Sequence, residues 1–309
     1  MDKNREKNFV SAVIYLSERE ELIAPFISMV NGVLSENFEK YEIVCVNDAS
    51  PLCAEAARRA ARENRISSPL TIINMSVRQG TEPCMNAGID AAIGDYIFEF
   101  DSPELCFEPS LIMDCYRKCL EGSDIVSAAP SRGSRAASRL FYSLFNAASK
   151  SAYKLRTDAF HLLSRRAVNR LHAINPNMPY RKAAYAASGL KLAELEFEPT
   201  AEISRRRGYR AAEAADALAL YTDAAYKISF AISAALLAVT LAAVVYTIVI
   251  FLSAQPVAGW TTTMILLSAG FFGVFLLMTF VLKYLSLLVD LSFRNQKYLV
   301  ESIEKIQYE

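Results

Sequence analysis

The 309 residues carry no net charge, since 33 Lys and Arg are matched by 33 Asp and Glu. No whole-chain field draws the protein to nucleic acid, and nucleic acid is not expected as a partner. Histidine is scarce: His161 and His172 are the only two. The six cysteines, Cys45, Cys53, Cys84, Cys106, Cys115 and Cys119, include no C-x-x-C pair. They read as reduced, mostly buried thiols, and no metal is assigned to them. The start, MDKNREKN, lacks the apolar core of a signal peptide. Internal repeats and low-complexity linkers are also missing. What the chain has in excess is apolar residues, 53% of the total, and they are unevenly spread.

Residues 228–252, ISFAISAALLAVTLAAVVYTIVIFL, run without charge, Gly or Pro, and residues 261–282, TTTMILLSAGFFGVFLLMTFVL, form a second long run. Each exceeds the ~20 residues a helix needs to cross a bilayer. A pair of buried core helices is the alternative use of such runs. Joined by SAQPVAGW, they predict a two-helix transmembrane hairpin. Lys227, Lys283, Arg294 and Lys297 flank its outer ends, while the connecting loop is uncharged. The positive-inside rule then gives a multi-pass protein of the cytoplasmic membrane with both termini in the cytoplasm. Trp260 suits the far interface.

The first 130 residues alternate short apolar runs with helical stretches. FVSAVIYL (9–16), YEIVCV (41–46), LTIINM (70–75), YIFEF (96–100) and DIVSAA (124–129) read as strands covered on both faces. Helical patterns fall at 19–36, 51–65, 81–92 and 108–120. Such alternation predicts an α/β domain with a mainly parallel sheet. Ligands bind outside the carboxyl ends of such strands, where VNDAS and FDSP fall.

Residues 131–170 hold nine basic residues against one acid, Asp158, with Leu140, Phe141, Leu144, Phe145 and Ala148 at helical spacing. They predict basic amphipathic helices, suited to an anionic membrane surface or to a solvated face packed on the domain. RRRGYR (205–210) suits lipid headgroups or a substrate phosphate. Residues 283–307 read as a helix that becomes amphipathic and charged, a candidate for self-association into a homo-oligomer. The expected layout is thus an α/β core over 1–130, a region with basic amphipathic juxtamembrane helices over 131–227, two transmembrane helices within 228–290, and a cytoplasmic C-terminal helix over 291–309.

Several stretches carry a resemblance: YEIVCVNDAS, NAGIDAAIGDYIFEFD, AFHLLSRRAVNRL and RRRG, followed by the twin apolar runs. Their order, from about residue 9 to 290, resembles family 2 glycosyltransferases of the GT-A fold. The branch they are most similar to is the polyprenyl-phosphate glycosyltransferases. The resemblance implies inverting transfer of a sugar from a UDP- or GDP-sugar to polyprenyl phosphate at the cytoplasmic leaflet. It also implies a divalent metal, Mg or Mn, held by carboxylates against the donor's diphosphate.

On that resemblance Asp101 matches the first acid of the family's D-x-D, and Pro103 stands at the second. Residues two apart on a strand share a face, so Glu99 is either a substitute ligand beside Asp101 or a salt-bridged structural acid. Glu104 is a further metal candidate. Asn47 and Asp48 match the D-D that contacts the nucleotide, with Ser50 and Tyr15 beside them; NDAS before PLCAEAARRA is equally suited to capping a helix. Arg132, Arg135, Arg165, Arg205 and Arg207 are candidates for the acceptor phosphate. That phosphate is already anionic, and needs positioning more than a base. His161 replaces a family arginine, and is either a structural histidine on a helix face or another phosphate contact. The departures, YLSER, NDAS, the missing second acid and RRRGYRA, keep two other functions open. One is an inactive homologue serving as partner or regulator of an active one; the other is transfer to a different membrane-bound acceptor.

Overall fold

A computed structural model describes residues 5–64, 66, 68–131, 156, 158–174, 178, 180–201 and 298–307, with scattered positions between 232 and 288. The chain divides into two units, Met1–Ala214 with Gln296–Glu309, and Ala215–Asn295.

The first unit begins β1 (Val10–Leu16), α1 (Glu20–Asn37), β2 (Tyr41–Asn47), α2 (Pro51–Glu63), β3 (Leu70–Met75), α3 (Thr81–Ala91), β4 (Tyr96–Phe100), α4 (Ser110–Leu120) and β5 (Ile125–Pro130). β6 (Phe160–Ser164), α5 (Arg165–Ile174), α6 (Arg181–Ala187), β7 (Leu192–Phe197) and β8 (Val300–Ile306) follow. One eight-stranded sheet results, in the order β7-β5-β6-β4-β1-β2-β3-β8. β1 lies parallel between β2 and β4, and every one of its residues is buried. β6 runs antiparallel between β4 and β5, setting Phe160 opposite Phe100. β8 runs antiparallel along β3. The sheet is therefore mixed around a parallel centre, as the alternating pattern of the first 130 residues required.

Local chemistry explains the helix starts. Ser50 caps α2, its Oγ accepting from the Cys53 amide at 3.4 Å, and Pro51 opens the first turn where no donor is needed. In α3 a side chain at Gly88 would lie 2.3 Å from Val13 Cγ1 and 2.8 Å from Val46 Cγ2, so glycine sets how closely the helix seats on β1 and β2. At Gly94 an added Cβ would meet the Ser11 amide nitrogen at 2.6 Å. Asp95 accepts from the Phe9 amide at 3.0 Å. The GIDAAIGDY stretch thus serves close packing and turning between α3 and β4.

Two expectations need correction. Residues 300–306, expected as helix, are strand β8. The spacing of Val300, Ile303 and Ile306 imitates one helix face, but β3 would otherwise leave an unpaired sheet edge. Glu304 fixes the pairing through Arg58, at 2.8 Å, and through Asn74 Nδ2, at 2.7 Å. His161, expected on a helix, lies in β6, and among the described residues of this region a helix spans Arg165–Ile174. Residues 132–155 and 202–231 lie outside the described residues.

Most of the two apolar runs also falls outside them. Among the described residues no helix is long and apolar enough to cross a membrane. Within the second unit, Leu267, Val274, Val281 and Leu288 are helical and exposed, seven residues apart.

Candidate active site

The parallel strands β1, β2, β3 and β4 all end on one edge of the sheet. Their following loops carry Ser17 to Arg19, Asp48 to Ser50, Ser76 to Gly80 and Asp101 to Glu104. Three residues here have positive φ: Arg19 at 58°, Ala49 at 52° and Gly80 at 90°. Left-handed non-glycine residues cost roughly 1–2 kcal/mol each. β6 starts at this same edge, because it runs antiparallel to β4, and so brings Asp158 and His161 to it.

Two polar clusters form. In the first, Asp48 is 1% exposed and its carboxylate accepts from Tyr15 Oη at 2.8 Å, the Gln79 amide at 2.7 Å and the Gly80 amide at 3.2 Å. It ties the ends of β1 and β2 to the loop that opens α3. Asn47 Nδ2 donates to Asn74 Oδ1 at 3.0 Å, and Asn47 Oδ1 accepts from the Ser50 amide at 3.2 Å. Beside them Ser17 Oγ is buried and has no hydrogen-bond partner among the described residues. A buried hydroxyl of that kind is a group for which a ligand is an available partner.

The second cluster is built around Arg181, 1% exposed and the largest fully buried side chain among the described residues. Its Nε donates to Glu82 at 2.9 Å, one terminal nitrogen to Glu99 at 3.3 Å and the other to Asp101 at 2.6 Å. Its backbone amide donates to Glu82 as well, at 3.0 Å. Glu99 is further held by Tyr185 Oη, 2.7 Å from one oxygen and 2.9 Å from the other. Lys182 bonds to Asp158 and lies 3.5 Å from Asp101 Oδ2. His161 Nε2 is 3.1 Å from the second Asp158 oxygen. Asn86, from α3, fixes the approach to α6 by donating to the Met178 carbonyl at 3.0 Å. An aromatic floor supports the end of β4, with Phe100 to Phe160 at 5.1 Å and Phe107 to Phe160 at 4.9 Å.

The charges settle unequally. Burial would raise Asp101, but the Arg181 and Lys182 charges and the Arg181 hydrogen bond outweigh it and hold the carboxyl well below its usual range. Burial likewise opposes ionisation of Asp158, and His161 and Lys182 still bring it down to about 2. For Glu99 burial wins over Arg181, His161 and Tyr185, and its carboxyl is raised. Burial would lower Arg181, yet Glu82, Asp101 and Glu99 hold it well above the usual arginine value. The guanidinium thus favours the ionised form of both Asp101 and Glu99, and prevails over burial only at Asp101.

Across this same region, residues 12–188, more than half of the chain, match Glycosyl transferase family 2. The chain belongs to that family. An uncharacterized glycosyltransferase of Synechocystis is 27% identical to it over 190 residues, 59% of this chain and 58% of the relative. The match thus spans less than two thirds of that relative's length. A bactoprenol glucosyl transferase of Shigella phage SfV is 26% identical over 211 residues, 65% of this chain and 67% of the relative. Among solved structures, a mannosyltransferase of Pyrobaculum calidifontis in complex with GDP-Man and Mn2+ superposes with a TM-score of 0.51 at 16% identity, covering 86% of each chain. Glucosyl-3-phosphoglycerate synthase of Mycobacterium tuberculosis gives 0.51 at 15% identity, covering 69% of this chain and 78% of its own. At such identity these two establish a shared GT-A fold.

The family 2 chain brings together only some of the residues its sequence offered. Tyr15, Asn47, Asp48 and Ser50 gather at the ends of β1 and β2, and Glu99 and Asp101 share one face of the end of β4. Glu99, however, is 1% exposed and turned to Arg181 and Tyr185, as the salt-bridged alternative requires. Glu104 faces Arg19 at 3.7 Å. Among the described residues no three or more His, Cys, Asp or Glu side chains converge so as to hold a metal ion. The expected Glu99–Asp101–Glu104 metal set does not fit, because protein cations already lie against these carboxylates.

Arg165 is also corrected as an acceptor contact. It sits where β6 ends, opposite the start of β4, and donates to the Ala92 carbonyl at 2.7 Å and the Gly94 carbonyl at 2.7 and 3.0 Å. It braces the opposite end of the sheet. His161 is 5% exposed and paired with Asp158, so it is a structural histidine of the cluster. Arg132, Arg135, Arg205 and Arg207 lie outside the described residues.

Sequence reasoning missed Arg181, Lys182, Tyr185, Glu82 and Asp158. One signal was present: Asp158 is the sole acid among nine basic residues. Nothing in PYRKAAYAA ties it to a strand about eighty residues earlier.

Proposed function

We propose that the protein is a membrane-bound inverting glycosyltransferase that moves a sugar from a nucleotide-sugar donor to polyprenyl phosphate on the cytoplasmic leaflet. The observation that carries this reading is the gathering, at one carboxyl edge of the sheet, of the Tyr15–Asp48 cluster, the unpartnered Ser17 Oγ and the Asp101 cluster. A nucleoside fits against the first, and its diphosphate then reaches toward the second. The phosphate oxygen of the lipid attacks the anomeric carbon, the bond from that carbon to the diphosphate oxygen breaks, and the nucleoside diphosphate leaves with the electron pair. The acceptor is an anion already, so the step needs alignment and charge screening, with no proton to remove.

The membrane part of the reading is supported by the two apolar runs, each longer than a bilayer-crossing helix requires, and by the exposed stripe Leu267, Val274, Val281 and Leu288. The lipid acceptor is supported by the bactoprenol glucosyl transferase named above, at 26% identity. One observation favours a second reading, that of a non-catalytic partner of an active homologue: Asp101 is engaged by Arg181 and Lys182 in the cluster itself.

Membranes containing the protein, incubated with labelled UDP- or GDP-sugars and undecaprenyl phosphate, should pass label into the lipid phase, and Asp101→Asn should lower that transfer by about a hundredfold or more. Nucleotide binding with no transfer to any lipid would select the second reading.

A further inference from the structure

The fold's relatives include a complex with Mn2+, yet the carboxylates this chain offers for a metal are engaged by its own cations. Arg181 touches Glu82, Glu99 and Asp101 at once, from a position only 1% exposed. Lys182, the next residue, reaches Asp158 and lies 3.5 Å from the outer oxygen of Asp101. Pro103 stands where the family's second acid is expected. A dication placed on Asp101 would sit against a guanidinium 2.6 Å from that carboxylate, an arrangement that like-charge repulsion disfavours.

We propose that Arg181 and Lys182 take over the electrostatic task of the divalent cation, so that this protein binds the donor's nucleoside diphosphate without metal. The two residues divide the work. Arg181 is fixed by three carboxylates and keeps the end of β4 neutralised; it has no freedom to turn. The Lys182 side chain is 11% exposed, on a flexible four-carbon stem, and it is adjacent to the carboxylate that ends β4. Its ammonium can exchange part of its contact with Asp101 for a diphosphate oxygen while Asp158 keeps it oriented. A lysine serves phosphate as a point charge in this way.

This inference rests on the donor being a nucleotide sugar, and the test separates the two. Binding of UDP and of GDP to the purified full-length protein in detergent is measured calorimetrically, once in EDTA and once in Mn2+, for the native chain, Lys182→Gln and Lys182→Arg. One of the two nucleotides should bind in EDTA, with Mn2+ changing its affinity by less than about threefold. Lys182→Gln should weaken that binding by about tenfold or more, and Lys182→Arg should restore most of it, with melting temperatures showing all three folded. Binding that requires Mn2+, or binding indifferent to Lys182→Gln, overturns the inference and leaves the glycosyltransferase reading in place. If neither nucleotide binds in either condition, both fall.

Discussion

Asp158 keeps its charge although its side chain is only 7% exposed, because Lys182 and His161 face its two oxygens. Its carboxyl is held at about 2, against roughly 3.9 for an unfolded aspartate. A depressed acid contributes stability that is present above the unfolded value and lost as pH falls toward the folded one. Asp158 should therefore contribute about 2.5 kcal/mol at neutral pH, lost between about pH 4 and pH 2. Asp101, depressed by Arg181 and Lys182, acts in the same direction. Glu99, raised by its burial, acts in the opposite one, favouring the fold as it gains a proton. Denaturant midpoints measured across this window should show Asp158→Asn with a shallower acid slope than the native chain. Equal slopes would mean that the buried ion pair is not formed in solution. At the same scale NDAS carries a visible cost, because the φ of 52° at Ala49 is one that glycine adopts freely.

Among the elements, β8 has the least expected role. It covers the β3 edge and joins a chain of polar contacts, from Arg58 through Glu304 and Asn74 to Asn47 in the nucleotide-side cluster. Gln79 reinforces it, exchanging hydrogen bonds with Leu299 at 2.8 and 2.9 Å. Gln79 also gives its amide to Asp48, so the C-terminal strand braces the loop that borders the candidate donor site. Truncation after residue 297 should leave β3 with an open edge and lower stability by several kcal/mol, at about 1 kcal/mol per net ladder hydrogen bond. Hydrogen exchange should show the amides of Leu70–Met75 losing protection. Glu304→Gln alone should cost no more than about 1 kcal/mol, since both partners of its pair with Arg58 are around one-third exposed. Unchanged exchange in β3 after truncation would count against the bracing role.

At the scale of the whole molecule, the apolar runs set the expectation. Residues 228–252 and 261–282 together make the protein an integral one if both are embedded. Alkaline carbonate washing of membranes should leave the full-length chain in the pellet, and a chain lacking residues 215–295 should not require detergent to stay in solution. Release of the full-length chain by carbonate would remove the membrane reading while leaving the family 2 fold untouched. All six cysteines are buried, and burial raises the Cys45 thiol to about 12.

The sequence by itself determined the parallel centre of the sheet. Buried strands such as VSAVIYL and helices with caps such as Ser50–Pro51 are specified by neighbours a few residues away, so β1 to β5 and α1 to α4 were legible at nearly their observed bounds. It also placed Tyr15, Asp48 and Asp101 at one edge, because strand ends in a parallel sheet share a side. Only the tertiary structure decided how those acids are used. Arg181 meets Glu99 and Asp101 across about eighty residues of sequence, and β8 meets β3 across more than two hundred. Such pairings are chosen by charge and by unsatisfied backbone that no local pattern reports. A run like VESIEKI is helical or extended according to what it is laid against.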